Sequence, residues 1–363
     1  MLSRVRTAAL WGVEAFPVEC EVDVGPGLPG FVLAGQPDAS AREVRDRVWP
    51  ALRNSGFAPP DRKTTVNLAP AGRPKEGASV DLAVALGLLA ATGQVPGDRL
   101  AGAAAIGELA LDGRLRGVRG TLGLAEAAWR AGAQTLLCAA DSAPEAALVE
   151  GLAVHPVARL EEAATWLRGA ELPTAAPAPP EHSSESGEDL ADVRGQAVAR
   201  RALEIAAAGG HHLLLIGPPG AGKSMLARRL PGVLPPLEPA EALTVTRIHS
   251  AAGLRPPGLG LMRRRPFRAP HHSVSPAGLI GGASPPRPGE VSLAHHGVLF
   301  LDELSEIPRR HLDQLRDPLE RGDVVIARAR SRICYPARAL LVGAMNPCCC
   351  EDFFPLLTAG AGR

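Results

Sequence analysis

The stretch HLLLIGPPGAGKS, at residues 212–224, decides how the second half of the chain folds. A short apolar strand at His212–Ile216 runs into a glycine-rich loop, and a helical pattern follows at Met225–Leu230. Glycines let the backbone curl so that successive N–H groups point at phosphate oxygens, and the helix adds its positive amino end. The spacing G-x-x-x-x-G-K-[ST] in this context predicts a phosphate-binding loop. Its members are Gly217, Pro218, Pro219, Gly220, Ala221, Gly222, Lys223 and Ser224.

Two side chains of this loop predict the ligand. Lys223 can reach the β- and γ-phosphates of a nucleotide, and the Ser224 hydroxyl can bind Mg²⁺. The expected ligands are therefore ATP and Mg²⁺. A chance glycine-rich turn is the alternative, and it leaves the preceding strand and the following helix unexplained.

Two further apolar strands end in polar residues. The run Gly297–Glu303 predicts that Asp302 holds the magnesium shell and that Glu303 polarises the attacking water. The run Ala339–Met345 is followed by Asn346, which we expect to contact the γ-phosphate or that water. Alone, the acidic pair is also typical of an ordinary strand end, and Asn346 of a turn. Together with the loop, they predict catalytic roles for Lys223, Glu303 and Asn346.

The order of patterns predicts two α/β domains. Residues 173–187 are rich in Pro, Ala, Ser and Glu without apolar periodicity, which favours a solvated linker. We therefore expect domains at 1–170 and 189–363, joined by a flexible linker at 171–188. Before the linker, strand patterns at Val18–Val24 and Thr64–Leu68 alternate with helical patterns at Ala78–Thr92 and Leu122–Ala131. After the linker, continuous apolar strands favour a parallel sheet that is covered on both faces.

Composition excludes several classes of protein. The net charge is +1, so binding to a polyanion would need a local patch. No apolar run is long enough to span a membrane, and the first residues do not resemble a signal peptide, so we expect a cytoplasmic protein with reduced thiols. The run Cys348–Cys350 does not favour zinc, because the side chains of consecutive residues diverge.

Several motifs together resemble a known family. GPPGAGKS at 217–224, GVLFLDEL at 297–304 and LLVGAMNP at 340–347 resemble an AAA+ ATPase. PFRAPHH at 266–272 and PRPGEVSLAHH at 286–296 resemble its magnesium-chelatase-like branch, which carries an insertion in the second helix of the core. The segments at 27–38, 44–57 and 64–91 are similar to the YifB/ComM family, and this resemblance extends from Met1 to about Cys348.

The resemblance implies a Lon-protease-like (S5-type) α/β domain followed by a P-loop AAA+ core. It also implies a hexameric ring that acts on DNA as a branch-migration-like motor. After Cys348 the sequence departs from the family pattern, so we expect a chain that ends after the sensor-1 strand, without arginine finger and lid. ATP hydrolysis would then require that the missing C-terminal elements be supplied to this chain. The alternatives are a non-hydrolysing ATP-binding accessory protein and a metal-chelatase subunit, the latter disfavoured by the Lon-like domain.

The Lon-like resemblance raises the question of peptidase activity. Ser79 falls about where the nucleophile would be, and the position of the activating Lys falls near Leu122. The only Lys after Lys75 is Lys223, and a Ser without a base is a poor nucleophile. We therefore expect a structural or regulatory role for this domain.

Two side-chain sets remain. Arg328, Arg330 and Arg332 occupy every second position, which predicts a row of guanidinium groups on one strand face that could hold DNA phosphates. A solvated hairpin in an Arg-biased protein explains them equally well. The His pairs at 271–272 and 295–296 resemble a metal set, but the family resemblance accounts for them without metal, and packing of the insertion hairpin is the preferred interpretation.

Overall fold

The computed structural model describes residues 1–35, 38–73, 75, 78–179, 188–256, 259–282, 286–328 and 331–347. The chain forms two compact units. The first comprises Met1–Glu181 together with Thr246–Met262, and the second comprises His182–Val245 and Arg263–Arg363. The α/β class expected from the sequence is confirmed in both units.

The first unit is built on a mixed seven-stranded sheet with the order β3-β4-β2-β1-β5-β8-β9. Strands β6 and β7 form a separate two-stranded ribbon. The strands are β1 (Leu2–Trp11), β2 (Glu14–Gly25), β3 (Gly30–Ala34), β4 (Lys63–Ala69), β5 (Ala103–Ile106), β6 (Glu108–Leu109), β7 (Leu115–Arg116), β8 (Thr135–Ala139) and β9 (Ala153–Val157). The helices are α1 (Asp38–Asn54), α2 (Asp81–Ala91), α3 (Thr121–Arg130), α4 (Ala143–Ala146) and α5 (Leu160–Leu167).

Apolar side chains cover both faces of this sheet. On β1, Val5 and Ala9 belong to one buried cluster, whereas Ala8 and Leu10 belong to another. Successive strand residues point to opposite faces, so a strand that is apolar at consecutive positions is buried between two helical layers. Helix α2 is buried along its whole length, because it carries only small and apolar side chains after Asp81.

The first unit also contains a segment that the sequence did not assign to it. Residues Thr246–Met262 pack here, where Arg247 forms an ion pair of 3.2 Å with Glu126 and the Ser250 hydroxyl bonds to Glu145. The first part of the predicted linker packs here as well, since the Ala175 N–H donates to the Val154 carbonyl at 2.8 Å. Residues 180–187 of the linker lie outside the described part of the chain.

The second unit contains a parallel sheet with the order β10-β15-β12-β11 and an antiparallel hairpin, β13–β14. The strands are β10 (Leu213–Ile216), β11 (Phe267–Arg268), β12 (Val298–Leu301), β13 (Asp323–Arg328), β14 (Ser331–Pro336) and β15 (Leu340–Met345). The helices are α6 (Ala197–Gly209), α7 (Lys223–Val233), α8 (Pro239–Ala252, whose last residues belong to the first unit), α9 (Pro276–Ile280), α10 (Glu290–Leu293), α11 (Arg309–Asp313) and α12 (Arg316–Arg321). Short 3-10 turns lie at Asp98–Gly102, Leu190–Asp192 and Leu304–Glu306.

Burial differs between the strands of the parallel sheet. Strand β12 is fully buried, as its apolar run predicts. Strand β10 is a border strand of the described sheet, and Leu214 and Ile216 on it are 48% and 41% exposed. The expectation that every strand is covered on both faces is therefore wrong for β10, because apolar composition does not distinguish a central strand from one at the border.

The predicted row of arginines on one strand is also wrong. Strands β13 and β14 are antiparallel, with Arg328 paired with Ser331 and Ala327 paired with Arg332. Because consecutive positions alternate between faces, this register separates positions 328 and 332. Arg332 is exposed, while Arg330 and the side chain of Arg328 lie outside the described residues.

Other expectations concern membranes, metals and thiols. Among the described residues, no helix is long and apolar enough to cross a membrane, and no group of three or more His, Cys, Asp or Glu side chains could hold a metal ion. Cys20 and Cys138 are buried free thiols, and burial raises the pKa of each to about 12. Cys348–Cys350 lie outside the described part of the chain.

Candidate nucleotide-binding site

The order of the parallel sheet brings three carboxyl ends of strands to one edge. Strand β15 lies between β10 and β12, so Asn346 emerges between Gly217 and Asp302. The Gly217 N–H donates to the Met345 carbonyl at 3.3 Å, which extends the β10–β15 pairing into the loop. Three segments that are far apart in the sequence therefore meet at one place, as expected for ligand sites at the carboxyl ends of parallel strands.

The loop adopts the conformation that its glycines permit. Gly220 and Gly222 have φ of 80° and 79°, in the left-handed region that favours glycine. Helix α7 begins directly afterwards at Lys223, so the N–H groups of its first turn have no partner within the helix and face the loop. Gln196 stabilises this arrangement, because its Nε2 donates to the Ala221 carbonyl at 3.1 Å. The described loop therefore fits an anionic phosphate group.

The ammonium group of Lys223 is centred on the site. Its Nζ donates to the Gly217 carbonyl at 2.6 Å, to the Pro218 carbonyl at 3.0 Å and to Oδ1 of Asn346 at 3.0 Å. Asn346 is exposed at the end of β15, so the sheet presents its amide to this loop. Lys223 thus joins the loop to the third apolar strand.

A hydroxyl and a carboxylate lie side by side where the sequence places a magnesium shell. Ser224 Oγ donates to Oδ2 of Asp302 at 2.7 Å, and Oδ1 of Asp302 accepts the Glu303 N–H at 2.9 Å. Hydroxyl and carboxylate oxygens are the donors that Mg²⁺ prefers, usually with water and phosphate oxygens completing the octahedron. The residues present therefore fit a magnesium ion held by Ser224 and Asp302.

Glu303 follows Asp302 in an unusual backbone conformation. Its φ is 47°, which is uncommon for a residue with a side chain and costs on the order of 1 kcal/mol. Its carboxylate is half exposed, and Oε2 lies 2.8 Å from Nδ1 of His272. The sequence analysis did not predict this partner. No sequence pattern indicated it, because the contact depends on β11 lying next to β12 in the sheet.

The other histidine pair has different partners. Nδ1 of the buried His295 accepts the Arg338 N–H at 3.0 Å, and Nδ1 of His296 lies 3.2 Å from Glu241. Burial lowers the pKa of His296, although Glu241 opposes this effect. The two pairs therefore contact different segments, and the interpretation of these residues as packing of an insertion hairpin stays a prediction.

The first unit shows where the residues considered for peptidase chemistry lie. The buried Ser79 Oγ donates to the Ala8 carbonyl at 3.1 Å, so its proton is directed at the main chain. Leu122 is fully buried at the start of α3. Lys75 Nζ donates to the Leu68 carbonyl at 2.9 Å and to two further carbonyls, and burial lowers its pKa. These contacts give Ser79 no activating amine.

Comparisons with known proteins identify the family. The family model described as magnesium chelatase, subunit ChlI, matches residues 189–356, and that of subunit ChlI of Mg-chelatase matches residues 20–142. An uncharacterized protein of Mycobacterium tuberculosis, Rv2897c, is 49% identical over 98% of this chain and 71% of its own length. The Escherichia coli protein YifB is 46% identical over 95% of this chain and 68% of its own length. The competence protein ComM of Haemophilus influenzae is 45% identical over 95% of this chain and 69% of its own length. The chain belongs to the YifB/ComM family.

This membership confirms the resemblance inferred from the motifs, and with it an AAA+-like α/β fold around the parallel sheet. The first matched family model spans every residue of the nucleotide site from Gly217 to Asn346. A solved magnesium chelatase complex of BchI and BchD matches 44% of this chain and 52% of its own chain, at 26% identity and a TM-score of 0.34.

Proposed function

We propose that this YifB/ComM protein binds ATP with magnesium at the carboxyl edge of the second-unit sheet and hydrolyses it to ADP and phosphate. The observation that carries the proposal is the convergence of two pairs, Lys223 with Asn346 and Ser224 with Asp302. Each pair joins the loop to a different strand end. A glycine-rich turn without ligand chemistry would not need either contact.

Binding begins with exchange of hydrogen bonds. Lys223 now donates to two loop carbonyls and to Asn346, all neutral acceptors. A phosphate oxygen is a stronger, charged acceptor, so Lys223 would exchange carbonyl partners for the β- and γ-phosphates. Ser224 and Asp302 would hold the magnesium ion, which supplies neutralisation of the charge on the phosphate oxygens.

Hydrolysis needs a base and a group that orients water. Glu303 is a half-exposed carboxylate beside the residues proposed to hold magnesium. We assign it the role of general base, which accepts a proton from the attacking water. Asn346 can accept from or donate to the γ-phosphate or the water through its amide. Lys223 would stabilise the charge that develops as the bond to the γ-phosphate breaks.

DNA is the partner that we propose for this ATPase, as a branch-migration-like motor that works as a ring in the cytoplasm. The family relative ComM is named a competence protein. The β13–β14 hairpin immediately precedes β15, and it presents the exposed Arg332. Arginines on an exposed hairpin can hold the phosphates of DNA with little sequence preference.

The test is nucleotide binding and turnover by the purified chain, with and without single-stranded or branched DNA. We expect tight ATP binding that requires Lys223, and turnover that increases with DNA and disappears in Glu303→Gln. Binding without turnover would instead favour a non-hydrolysing accessory protein. A chain that binds no nucleotide in the presence of magnesium would overturn the proposal.

A further inference from the structure

The histidine pair at 271–272 is a sequence feature that the proposed chemistry has not used. Its segment follows β11, and the order of the sheet places β11 beside β12. His272 therefore reaches the end of the neighbouring strand, where Glu303 follows Leu301 and Asp302. The rings of His271 and His272 are in contact, with centroids 4.0 Å apart and planes tilted by 38°, and Nδ1 of His271 lies 2.8 Å from the Ser273 hydroxyl.

The contact between His272 and Glu303 has a defined polarity. Nδ1 of His272 lies 2.8 Å from Oε2 of Glu303. An ionised carboxylate only accepts hydrogen bonds, so Nδ1 of His272 is the protonated ring nitrogen and donates a hydrogen bond to Oε2 of Glu303. Oε1 is then the carboxylate oxygen left for water.

Two contacts hold the strand that precedes His272. Phe267 stacks on Phe300 of β12 with ring centroids 5.9 Å apart. Arg268 forms a bidentate pair with Glu290 at 2.6 Å and 2.8 Å, and this pairing raises the pKa of Arg268. These contacts hold β11 next to β12, the strand that Glu303 follows, and so bring the segment of His272 near Glu303.

Glu303 needs such a partner. Its side chain is 52% exposed, and an exposed carboxylate on a flexible side chain samples several rotamers. Its left-handed backbone conformation fixes the direction of Cβ but not the direction of the carboxylate. One donor held in place can select a single orientation.

We propose that His272 is a positioning residue that orients the carboxylate of Glu303 for proton abstraction. This inference rests on the proposed ATP hydrolysis at the same site. His272 does not touch the nucleotide in this scheme, so its loss lowers kcat and leaves ATP affinity unchanged.

The kinetic test compares three variants in the full chain, each checked for an unchanged thermal unfolding midpoint. We expect His272→Ala to lower kcat by at least about tenfold with KM for ATP within about twofold, as found when partners that orient a reacting group are removed. His272→Asn should recover most of kcat, since the Asn amide nitrogen can donate from about the position of Nδ1. His296→Ala is the matched control, because it removes the similar contact with Glu241, and we expect turnover close to wild type. Wild-type kcat in His272→Ala, or an Asn variant as slow as Ala, would overturn the inference.

A spectroscopic test does not depend on turnover. In protein with ¹⁵N-labelled histidine, the His272 signals, assigned by their loss in His272→Ala, should report a proton on Nδ1. Glu303→Gln should change those signals and leave the His296 signals unchanged. Identical His272 signals with and without the Glu303 carboxylate would overturn the contact itself. A chain without ATP turnover whose His272 signals still respond would overturn the proposed function and leave the contact standing.

Discussion

Lys223 and Asn346, which lie 123 positions apart in the chain, meet through a hydrogen bond of 3.0 Å between Nζ and Oδ1. The bond exists because β15 pairs with β10 in parallel, so the residue after Met345 emerges beside the loop that follows Ile216. One sheet pairing thus places the side chain expected to contact the nucleotide next to the residue expected to hold its phosphates.

Lys223→Ala should weaken ATP binding by about 10- to 100-fold, the loss expected from one charge-assisted bond of about 1.5–3 kcal/mol. Titration calorimetry with ATP and magnesium measures this directly. Lys63→Ala is the matched control, because Lys63 is an exposed lysine in the first unit. Equal affinities of Lys223→Ala and wild type would remove Lys223 from the site.

Asp302→Asn should abolish the gain in ATP affinity that magnesium confers, since an amide is a weaker ligand for a hard cation than a carboxylate. Binding in the presence of a chelator should remain close to that of wild type, because Lys223 and the loop are unchanged. The measurement is ATP affinity as a function of magnesium concentration, with Asp313→Asn, at an exposed position on α11, as control. A magnesium dependence like that of wild type would refute the assignment.

Replacing Arg328, Arg330 and Arg332 together by Ala should weaken DNA binding and reduce its salt dependence. Each arginine that neutralises a phosphate of single-stranded DNA contributes about 0.7 to the slope of log affinity against log salt. Because the hairpin register separates positions 328 and 332, we expect the triple variant to lose fewer than three such contributions. Replacing the exposed Arg309, Arg310 and Arg316 provides the charge-matched control. If both variants lose the same affinity, the hairpin has no specific role.

Asp81→Ala should destabilise the first unit by about 3 kcal/mol, because it leaves a partly buried guanidinium without its partner. Arg47 Nε and Nη2 donate to the two carboxylate oxygens of the fully buried Asp81 at 2.7 Å and 3.1 Å. Denaturant unfolding measures the change. Asp46→Ala, which removes an exposed pair with Arg45, should change the free energy of unfolding by less than about 1 kcal/mol. A small effect of Asp81→Ala would show that Arg47 finds other partners.

Stability should fall when the pH drops below about 6.5, in part because of His296. Burial holds its pKa in the folded chain below the ordinary value of 6.5, so below that pH the unfolded chain binds a proton that the folded chain resists. The contribution of His296 is therefore present above the ordinary value and lost as the pH falls. Unfolding measured from pH 8 to 5 should show a smaller decline in His296→Asn, since Asn tolerates the left-handed backbone and does not titrate. An equal decline in both proteins would exclude His296 as the cause.

The sequence predicted local structure well where a pattern has a single physical meaning. Strand β12 lies within the apolar run at 297–303, and α7 starts two residues before the predicted helical pattern at Met225–Leu230. Prediction was wrong where a sequence pattern is compatible with two different structures. The arginines at every second position were interpreted as one strand, whereas Arg328 and Arg332 lie on two antiparallel strands, and the spacing of residue types does not distinguish these arrangements.

The sequence by itself determined the family, the α/β class, and the residues of the phosphate loop, because the loop's spacing, its preceding strand and its following helix are all local along the chain. Only the tertiary structure decided which distant side chains meet. The ion pair of Arg247 with Glu126, the contact of His272 with Glu303 and the exposure of β10 depend on the order of strands in a sheet and on how segments pack. Those arrangements arise because the whole chain buries its apolar surface. They cannot be predicted from a short stretch of sequence.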